Sequence, residues 1–198
     1  MASKFEFRRG LFHITCGTII ILLLKFEFLT KWLLLTLTLA LLALSLISKR
    51  YRIPVMHWFL QQFDREKDIK KFPAKGAFFY ITGITIVVFL FPQDIALASI
   101  AILAIADPIS RFVGVHFGRV KHPLDSAKFI EGAIVGIITG FLAAVIFVRP
   151  AEAFFAAIFA MIAEGIEIKF GMRRVDDNIV MPIVASVVIK LTRIISTL

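Results

Sequence analysis

The sequence predicts an all-α membrane protein, and three observations carry that prediction. Hydrophobic residues make up 59% of the 198 positions, against roughly 45–50% in soluble domains. Several apolar runs approach the ~20 residues that a helix needs to cross a bilayer core about 30 Å thick. No internal repeat, low-complexity tract or long linker divides the chain. We therefore expect a single polytopic membrane domain over residues 1–198.

Seven apolar segments are predicted to be transmembrane helices. They lie at about residues 11–28, 31–48, 77–91, 95–113, 131–148, 151–168 and 179–197. The first follows Lys4, Arg8 and Arg9, as the apolar core of a signal peptide would. No small-residue cleavage site comes after it, so we expect it to be retained as a span.

The 23 lysine and arginine residues indicate the orientation. Most of them fall in segments that are cytoplasmic if the N-terminus is cytoplasmic, as the positive-inside rule requires. Topology and the anionic lipid surface thus account for the formal net charge of +9, and no nucleic-acid partner is expected. We expect a prokaryotic plasma membrane or an organelle membrane such as that of the ER, with the polar site on the cytoplasmic side.

Residues 49–76 are too polar to span a membrane. Met56, Phe59, Leu60 and Phe63 recur at helical spacing, with Trp58 nearby and charges concentrated after Phe63. This pattern predicts a short amphipathic helix lying in the cytoplasmic interface. An ordinary amphipathic connector would show the same pattern.

The fourth predicted span is interrupted by ADPISRFVGVHFGR at residues 106–119. Asp107 followed by Pro108 has the chemistry of a helix N-cap and a first-turn proline, which predicts one broken helix near Asp107. A cap alone would account for the acid. However, an ionisable group at bilayer depth costs about 2.5–3.5 kcal/mol on insertion scales and usually faces a cavity or a partner.

Cations are dense around and after this acid, at Arg111, Arg119, Lys121, His122 and Lys128. Together with the free N–H groups of a new helix N-terminus, they predict an anionic ligand such as phosphate. An acid beside a phosphate requires a divalent cation between them, and Mg²⁺ is commonly held by one or two carboxylates plus substrate phosphates. A metal-bound nucleotide would place its phosphates near the cations and its metal ion near the acid.

Glycines recur four residues apart at Gly114 and Gly118, and again at Gly132, Gly136 and Gly140. In membrane helices this spacing usually indicates close helix packing, which we predict for the second set. For Gly114 and Gly118, beside the basic stretch, close approach of the backbone to a phosphate is a fair alternative.

The segment RRVDDN at residues 173–178 is the second polar cluster. Two acids beside two arginines suit a solvated, charge-compensated loop. If this segment meets the first cluster, Asp176 and Asp177 become candidates for a second metal ligand or a base. Asn178 can cap the last helix.

Two further polar features lie in the first and sixth spans. Arg9 and His13 are four residues apart on one helical face, at the cytoplasmic end of the first span. A histidine there is more often an ordinary hydrogen-bonded residue than a catalyst. Glu164 lies deep in the sixth predicted span, where an acid needs a partner.

In their order, these motifs resemble those of the CTP-dependent lipid-alcohol kinases: dolichol kinase, phytol kinase and CTP-dependent diacylglycerol kinase. The shared signature runs from an aspartate through two glycines to a K-x-x-E-G segment, here Asp107, Ser110, Gly114, Gly118, Lys128, Glu131 and Gly132. RRGLFH (8–13), FPAKGAFFY (72–80) and DDNIVMP (176–182) resemble further family segments, so the likeness covers nearly the whole chain. Two positions depart from the pattern: Phe129 stands where serine or threonine is usual, and Ala106 where glycine is frequent.

The resemblance implies transfer of the γ-phosphoryl group of CTP, with Mg²⁺, to the hydroxyl of a membrane lipid alcohol. Polyprenol or dolichol is the first expectation, then phytol or geranylgeraniol; the choice of CTP over ATP is implied by the family alone. The implied nucleotide-binding residues are Arg111, Gly114, Gly118, Arg119, Lys121, His122, Lys128, Glu131 and Gly132. The implied metal ligands are Asp107, Glu131 and Asp176, and the implied catalytic residues are Asp107 and Asp177.

Three other functions fit parts of the same pattern. A CDP-lipid synthase, in which a phospholipid oxygen attacks the α-phosphate of CTP, needs the same charges, although the K-D and D-R-x-x-D pattern of those enzymes is absent. A diacylglycerol kinase would use the same motif on another acceptor. Outside the enzymes, a small transporter would use Asp107 and Glu164 as relay residues, but the polar clusters concentrate on one face.

Overall fold

The computed structural model describes residues 2–51, 54–64, 69, 71–123, 125, 127–166, 169–170 and 173–197. Within them the chain forms helices α1 (Ala2–Lys25), α2 (Lys31–Arg50), α3 (Pro54–Phe63), α4 (Lys75–Leu90), α5 (Gln93–Phe117), α6 (Ile130–Ala144), α7 (Pro150–Gly165) and α8 (Asp177–Ile195). Between α7 and α8, the two-residue strands β1 (Lys169–Phe170) and β2 (Arg173–Arg174) pair antiparallel. The prediction of an almost wholly helical chain is confirmed.

Helix α5 forms the centre of the bundle and packs against α1, α6 and α8. Its residues 95–104 are all buried, because alanines alternate with isoleucine and leucine around the whole helix. A helix that is apolar on every side is typical of a core position. Ala98, Ala101 and Ala104 are at most 3% exposed, and their small side chains let the neighbouring helices approach.

In the part of the chain that the structure describes, four helices are long and apolar enough to cross a membrane: α1 from Lys4 onwards, α2, α5 and α8. Their length and composition agree with the prediction of an integral membrane protein. Helices α4, α6 and α7, which correspond to the third, fifth and sixth predicted spans, have 16, 15 and 16 residues. At 1.5 Å per residue they are about 22–24 Å long, shorter than a bilayer core of about 30 Å. Helix length therefore supports four of the seven predicted spans.

The predicted break near Asp107 is wrong. Helix α5 continues from Gln93 to Phe117 with Pro108 in its interior, so no helix begins at Asp107. Pro108 cannot donate a backbone hydrogen bond to the preceding turn. The helix is nevertheless buried on both sides of the proline, and tertiary packing overrides the local preference. The free N–H groups that a new helix would offer to a phosphate are therefore not present at Asp107.

Helix α3 confirms the prediction of a short helix within residues 49–76. Leu60 is 4% exposed, and the rings of Phe59 and Phe63 lie 5.4 and 4.6 Å from that of Phe12 in α1. Part of the apolar face of α3 therefore packs on α1, whereas Trp58 is 61% exposed. The place of α3 in the membrane interface stays a prediction.

The glycine series of α6 packs against α5, as predicted. A Cβ atom on Gly132 would lie 2.4 Å from the carbonyl oxygen of Ser110 and 3.1 Å from the Cα of Gly114. Gly114 is thus the α5 side of this helix contact. Gly118 has another role: a Cβ there would lie 2.3 Å from the ring of Phe129, so the absent side chain makes room for that ring.

Candidate functional site

A cavity of about 570 Å³ lies at the end of the bundle where α4, α6 and α8 begin and where α5 and α7 end. Volumes of about 300–1,000 Å³ are usual for small-molecule sites. Residues from the basic stretch that follows Asp107, from the segment RRVDDN and from the Arg9–His13 pair of α1 meet here. The wall is formed by Glu6, Arg9, Lys75, Gly76, Ser110, Arg111, Gly114, Val115, Asp125, Ala127, Lys128, Phe129, Gly132, Ala133, Glu164, Val175, Asp176, Asp177 and Asn178.

Three acids from different helices cluster beside this cavity: Glu164 and Asp177 line it, and Asp107 lies next to them outside its described wall. One carboxylate oxygen from each of Asp107 (α5), Glu164 (α7) and Asp177 (α8) lies within 4.8 Å of the other two. Asp107 and Glu164 are 4% and 5% exposed, and Asp177 is half-buried. Since like charges at this distance repel strongly in a buried setting, the cluster requires cations.

Two cations alternate with the three acids. The Nη2 atom of Arg111 lies 3.0 Å from Oδ1 of Asp107 and 3.5 Å from Oδ2 of Asp177. Lys128 donates to a carboxylate oxygen of Glu164, and its Nζ lies 4.0 Å from Oδ2 of Asp177. Buried acids are retained when paired in this way, because removing a carboxylate from water without a partner is costly. Three negative and two positive groups leave the cluster with one net negative charge.

The sequence predicted that Glu164 lies deep in the sixth span, but the structure places it at the end of α7. It is the second-to-last residue of α7, which ends at Gly165. Its partner is Lys128, which also donates to the backbone carbonyl of Glu164 at 2.5 Å. The acid therefore belongs to the end of the bundle that holds the other two, and it does not form a relay toward the membrane centre.

The N-cap of helix α8 differs from the one that the sequence predicted. The N-cap is Asp176 and not Asn178: the Asp176 carboxylate accepts from the backbone N–H of Asn178 at 3.3 Å and from its Nδ2 at 2.7 Å. Lys75 lies 3.8 Å from Asp176. Burial and the adjacent Asp177 carboxylate raise the pKa of Asp176 above its usual value. The Oδ1 atom of Asn178 is buried and has no hydrogen-bond partner among the described residues, although Asn178 lines the cavity.

Glu131 and Asp176, two of the predicted metal ligands, are not members of the three-acid cluster. Glu131 accepts hydrogen bonds from the backbone N–H groups of Arg119 and Val120, at 2.9 and 3.1 Å. This acid therefore fixes the turn that follows α5. Asp177, predicted as a catalytic residue, is one of the three clustered acids.

Arg119, Lys121 and His122, predicted to bind the nucleotide, lie outside the cavity wall formed by the described residues. The Nζ atom of Lys121 lies 3.9 Å from the centre of the Phe129 ring. His122 lies against Gly165, where a Cβ would be 2.6 Å from the imidazole. Of the predicted cations of this stretch, Arg111 and Lys128 line the cavity.

The two predicted residues of α1 also reach this region. Arg9 lines the large cavity, and both Arg9 and His13 line a smaller one that lies against Asp107. The Nε2 atom of His13 is buried, and no described residue forms a hydrogen bond with it. Lys75 is a charged residue of the large cavity that sequence reasoning did not single out, although it belongs to the FPAKGAFFY segment.

Comparison with known proteins identifies one similarity of sequence. The chain is 26% identical over 147 residues to the uncharacterized protein MJ1137 of Methanocaldococcus jannaschii. The aligned region covers 74% of this chain and 72% of that protein. No family model matches the chain, and no solved structure matches it. Because the name of the relative states no activity, the function has to be argued from the site.

Proposed function

We propose that this protein transfers the γ-phosphoryl group of CTP to the hydroxyl of a membrane lipid alcohol, with polyprenol or dolichol as first candidates. One observation carries the proposal: three acids from three helices alternate with Arg111 and Lys128 beside a cavity of about 570 Å³. Phosphoryl transfer depends mainly on positioning and on electrostatic stabilisation of the phosphates, which such an arrangement can supply. The choice of CTP rests on the motif resemblance alone.

The acid cluster suits Mg²⁺ in the chemistry of its donors. Mg²⁺ prefers oxygen ligands and is usually held by one or two carboxylates plus substrate phosphates. Asp107, Glu164 and Asp177 offer such oxygens within 4.8 Å of one another. Asn178, whose Oδ1 has no hydrogen-bond partner among the described residues, lines the large cavity together with Glu164 and Asp177. When bound, the ion would neutralise charge on the β- and γ-phosphates.

The reaction can be assigned to this chain's own residues. The lipid hydroxyl oxygen forms a bond to the γ-phosphorus, the bond from that phosphorus to the β–γ bridging oxygen breaks, and its electron pair leaves with CDP. The hydroxyl proton passes to the Asp107 carboxylate. Arg111 and Lys128, which now neutralise the acids, would turn toward the phosphates as the nucleotide enters, because both line the cavity.

The membrane arrangement is part of this proposal. In it, α4, α6 and α7 complete seven spans by locally thinning the bilayer, which costs fractions of a kcal/mol per Å of mismatch. The N-terminus and the cavity face the cytoplasm, as the distribution of basic residues favours. Helix α3 then lies in the cytoplasmic interface beside the start of α1.

The test uses purified protein in detergent with Mg²⁺, a long-chain polyprenol and CTP labelled at the γ-phosphate. We expect label in the lipid and release of CDP, with loss of both on chelation by EDTA and in Asp107→Asn. Dolichol, phytol, geranylgeraniol and diacylglycerol are assayed in parallel to rank acceptors. Label recovered in pyrophosphate together with a CDP-lipid would identify a synthase, and an absence of nucleotide turnover with every acceptor would overturn the proposal.

A further inference from the structure

A second, smaller cavity of about 30 Å³ lies between α1 and α5. Arg9, Gly10 and His13 of α1 and Asp107, Phe112 and Val115 of α5 belong to its wall. Since a cavity needs about 10–15 Å³ to hold one water molecule, this one has room for a small polar group such as a hydroxyl.

One residue of the cavity wall, His13, has an imidazole nitrogen that lacks a partner. Its Nε2 atom is buried and makes no hydrogen bond with any of the residues that the structure describes. The ring itself is held in place: it packs edge-on against Tyr80 with centroids 4.0 Å apart, and the Tyr80 hydroxyl donates to the backbone carbonyl of His13 at 3.2 Å. A buried polar atom in a fixed ring without a partner is unfavourable, and a bound hydroxyl would remove that cost.

The outer part of the cavity wall includes exposed apolar side chains, beside Glu6 and His116. Phe112 is 40% exposed and Val115 is 61% exposed. Phe7 of α1 lies beside Phe112, with ring centroids 6.0 Å apart, and is itself 54% exposed. A polar recess behind an exposed apolar rim suits an amphipathic molecule with one small polar end and a long apolar chain.

Asp107 connects this recess to the site described above. It lines the small cavity and belongs to the acid cluster at the large one. Arg9 and Arg111 line both cavities. A hydroxyl in the recess would therefore lie beside Asp107 and Arg111, where the two cavities adjoin.

We propose that the recess between α1 and α5 is the binding site for the hydroxyl end of the lipid alcohol, which enters laterally from the bilayer. His13 Nε2 and the Asp107 carboxylate hydrogen-bond the hydroxyl, and the chain extends outward past Phe112 and Val115. This inference rests on the proposed function for the identity of the lipid and adds the place where it binds. His13 touches the acceptor and not the nucleotide.

Photo-crosslinking tests the location directly. Purified protein without nucleotide is irradiated with a geranylgeraniol analogue that carries a diazirine beside the hydroxyl, and labelled peptides are mapped by mass spectrometry. We expect labelling within residues 7–13 and 107–115, reduced by excess geranylgeraniol but not by the corresponding hydrocarbon. Labelling elsewhere, or equal competition by the hydrocarbon, overturns the inference.

Kinetics of His13 variants give a second readout. His13→Leu removes the nitrogen and is expected to raise KM for the alcohol about tenfold, which is the loss of one hydrogen bond, while KM for CTP changes less than twofold. His13→Gln restores a polar group and should recover most of the loss. Cys16→Ala, on the same helix but outside the wall of the recess, serves as control, and thermal unfolding checks that each variant is folded. Equal changes in both KM values, or none in His13→Leu, count against the assignment.

The two proposals fail separately. Labelling of the recess without any nucleotide turnover refutes the kinase and leaves a hydroxyl-lipid site. Turnover with labelling confined to other helices retains the kinase and refutes the recess as its acceptor site.

Discussion

The two ends of the helix bundle both hold buried acids beside arginine, but they differ in whether the buried polar atoms around the acids have hydrogen-bond partners. At the end opposite the cavity, Glu152 is 1% exposed. It accepts from Nε and Nη2 of Arg193, both at 3.0 Å, and from the backbone N–H of Arg149 at 3.2 Å. Nη2 of Arg193 also lies 2.8 Å from Asp94. These contacts join the starts of α5 and α7 to the end of α8.

At the cavity end, Asp107, Glu164 and Asp177 share Arg111 and Lys128 as cations. Two buried polar atoms nearby, Oδ1 of Asn178 and Nε2 of His13, have no hydrogen-bond partner within the described part of the chain. Since buried polar groups in native proteins are almost always satisfied, unpartnered atoms call for an explanation. We infer that the Glu152 cluster serves the fold, whereas the Asp107 cluster serves a ligand.

The largest expected effect is that of Asp107→Asn. The substitution keeps the size of the side chain but removes the carboxylate that is proposed to take the proton, a role typically worth 10²–10⁴-fold in rate. We expect kcat to fall at least about a hundredfold in the γ-phosphate transfer assay. Asp94→Asn at the opposite end is the matched control and should retain activity. Retention of more than a tenth of the wild-type rate in Asp107→Asn would remove this residue from the chemistry.

Lys128→Met should weaken nucleotide binding. Hydrogen bonds to charged groups contribute about 1.5–3 kcal/mol, so loss of the Lys128 contact to phosphate should raise KM for CTP about 10–100-fold. Lys75→Met is the comparison, because Lys75 lines the same cavity but pairs with Asp176, 3.8 Å away. We expect a smaller increase there. An effect of Lys75→Met that equals or exceeds that of Lys128→Met would shift the phosphate position toward α4.

Glu152→Gln should affect stability and leave catalysis almost unchanged. The variant weakens the contacts with Arg193, and we expect about 2 kcal/mol of destabilisation, measured by thermal unfolding in detergent, with kcat/KM within twofold of wild type. Glu27→Gln, an exposed acid at the same end, controls for the change of charge. A large loss of activity at unchanged unfolding temperature would show that the two ends do not divide their roles in this way.

The smallest effect is expected for Lys121→Gln. The Lys121 ammonium lies over the Phe129 ring and outside the described wall of the cavity, so the change should remove a cation–π contact of about 0.5–1 kcal/mol. KM for CTP should change less than twofold. A tenfold increase would return Lys121 to the nucleotide-binding residues that the sequence predicted.

Local sequence patterns predicted the parts of the fold that local forces decide. Hydropathy located the long helices, and the glycine series of α6 correctly indicated close packing. The Asp107–Pro108 pair gave a misleading local signal, because packing around the proline, where Ala106, Pro108 and Ser110 are buried, keeps the helix continuous. The choice between Asp176 and Asn178 as cap could not be made from residue type, since both can cap a helix.

The candidate site depended on contacts between distant parts of the chain. Arg111 and Asp107 are four residues apart on one helix, so their ion pair follows from helical geometry. Lys128 and Glu164 are 36 residues apart, and their pairing follows from the packing of helices around α5. The sequence therefore predicted that Glu164 needs a partner, but it could not identify Lys128 as that partner.

The position of Arg111 on the walls of both cavities has a thermodynamic consequence. A ligand that draws the guanidinium toward one cavity changes the electrostatic field in the other, so the two binding equilibria are linked. Linkage is reciprocal: the factor by which nucleotide changes the affinity for lipid must equal the factor by which lipid changes the affinity for nucleotide. Titrating each ligand in the presence and absence of the other would measure that single coupling free energy twice.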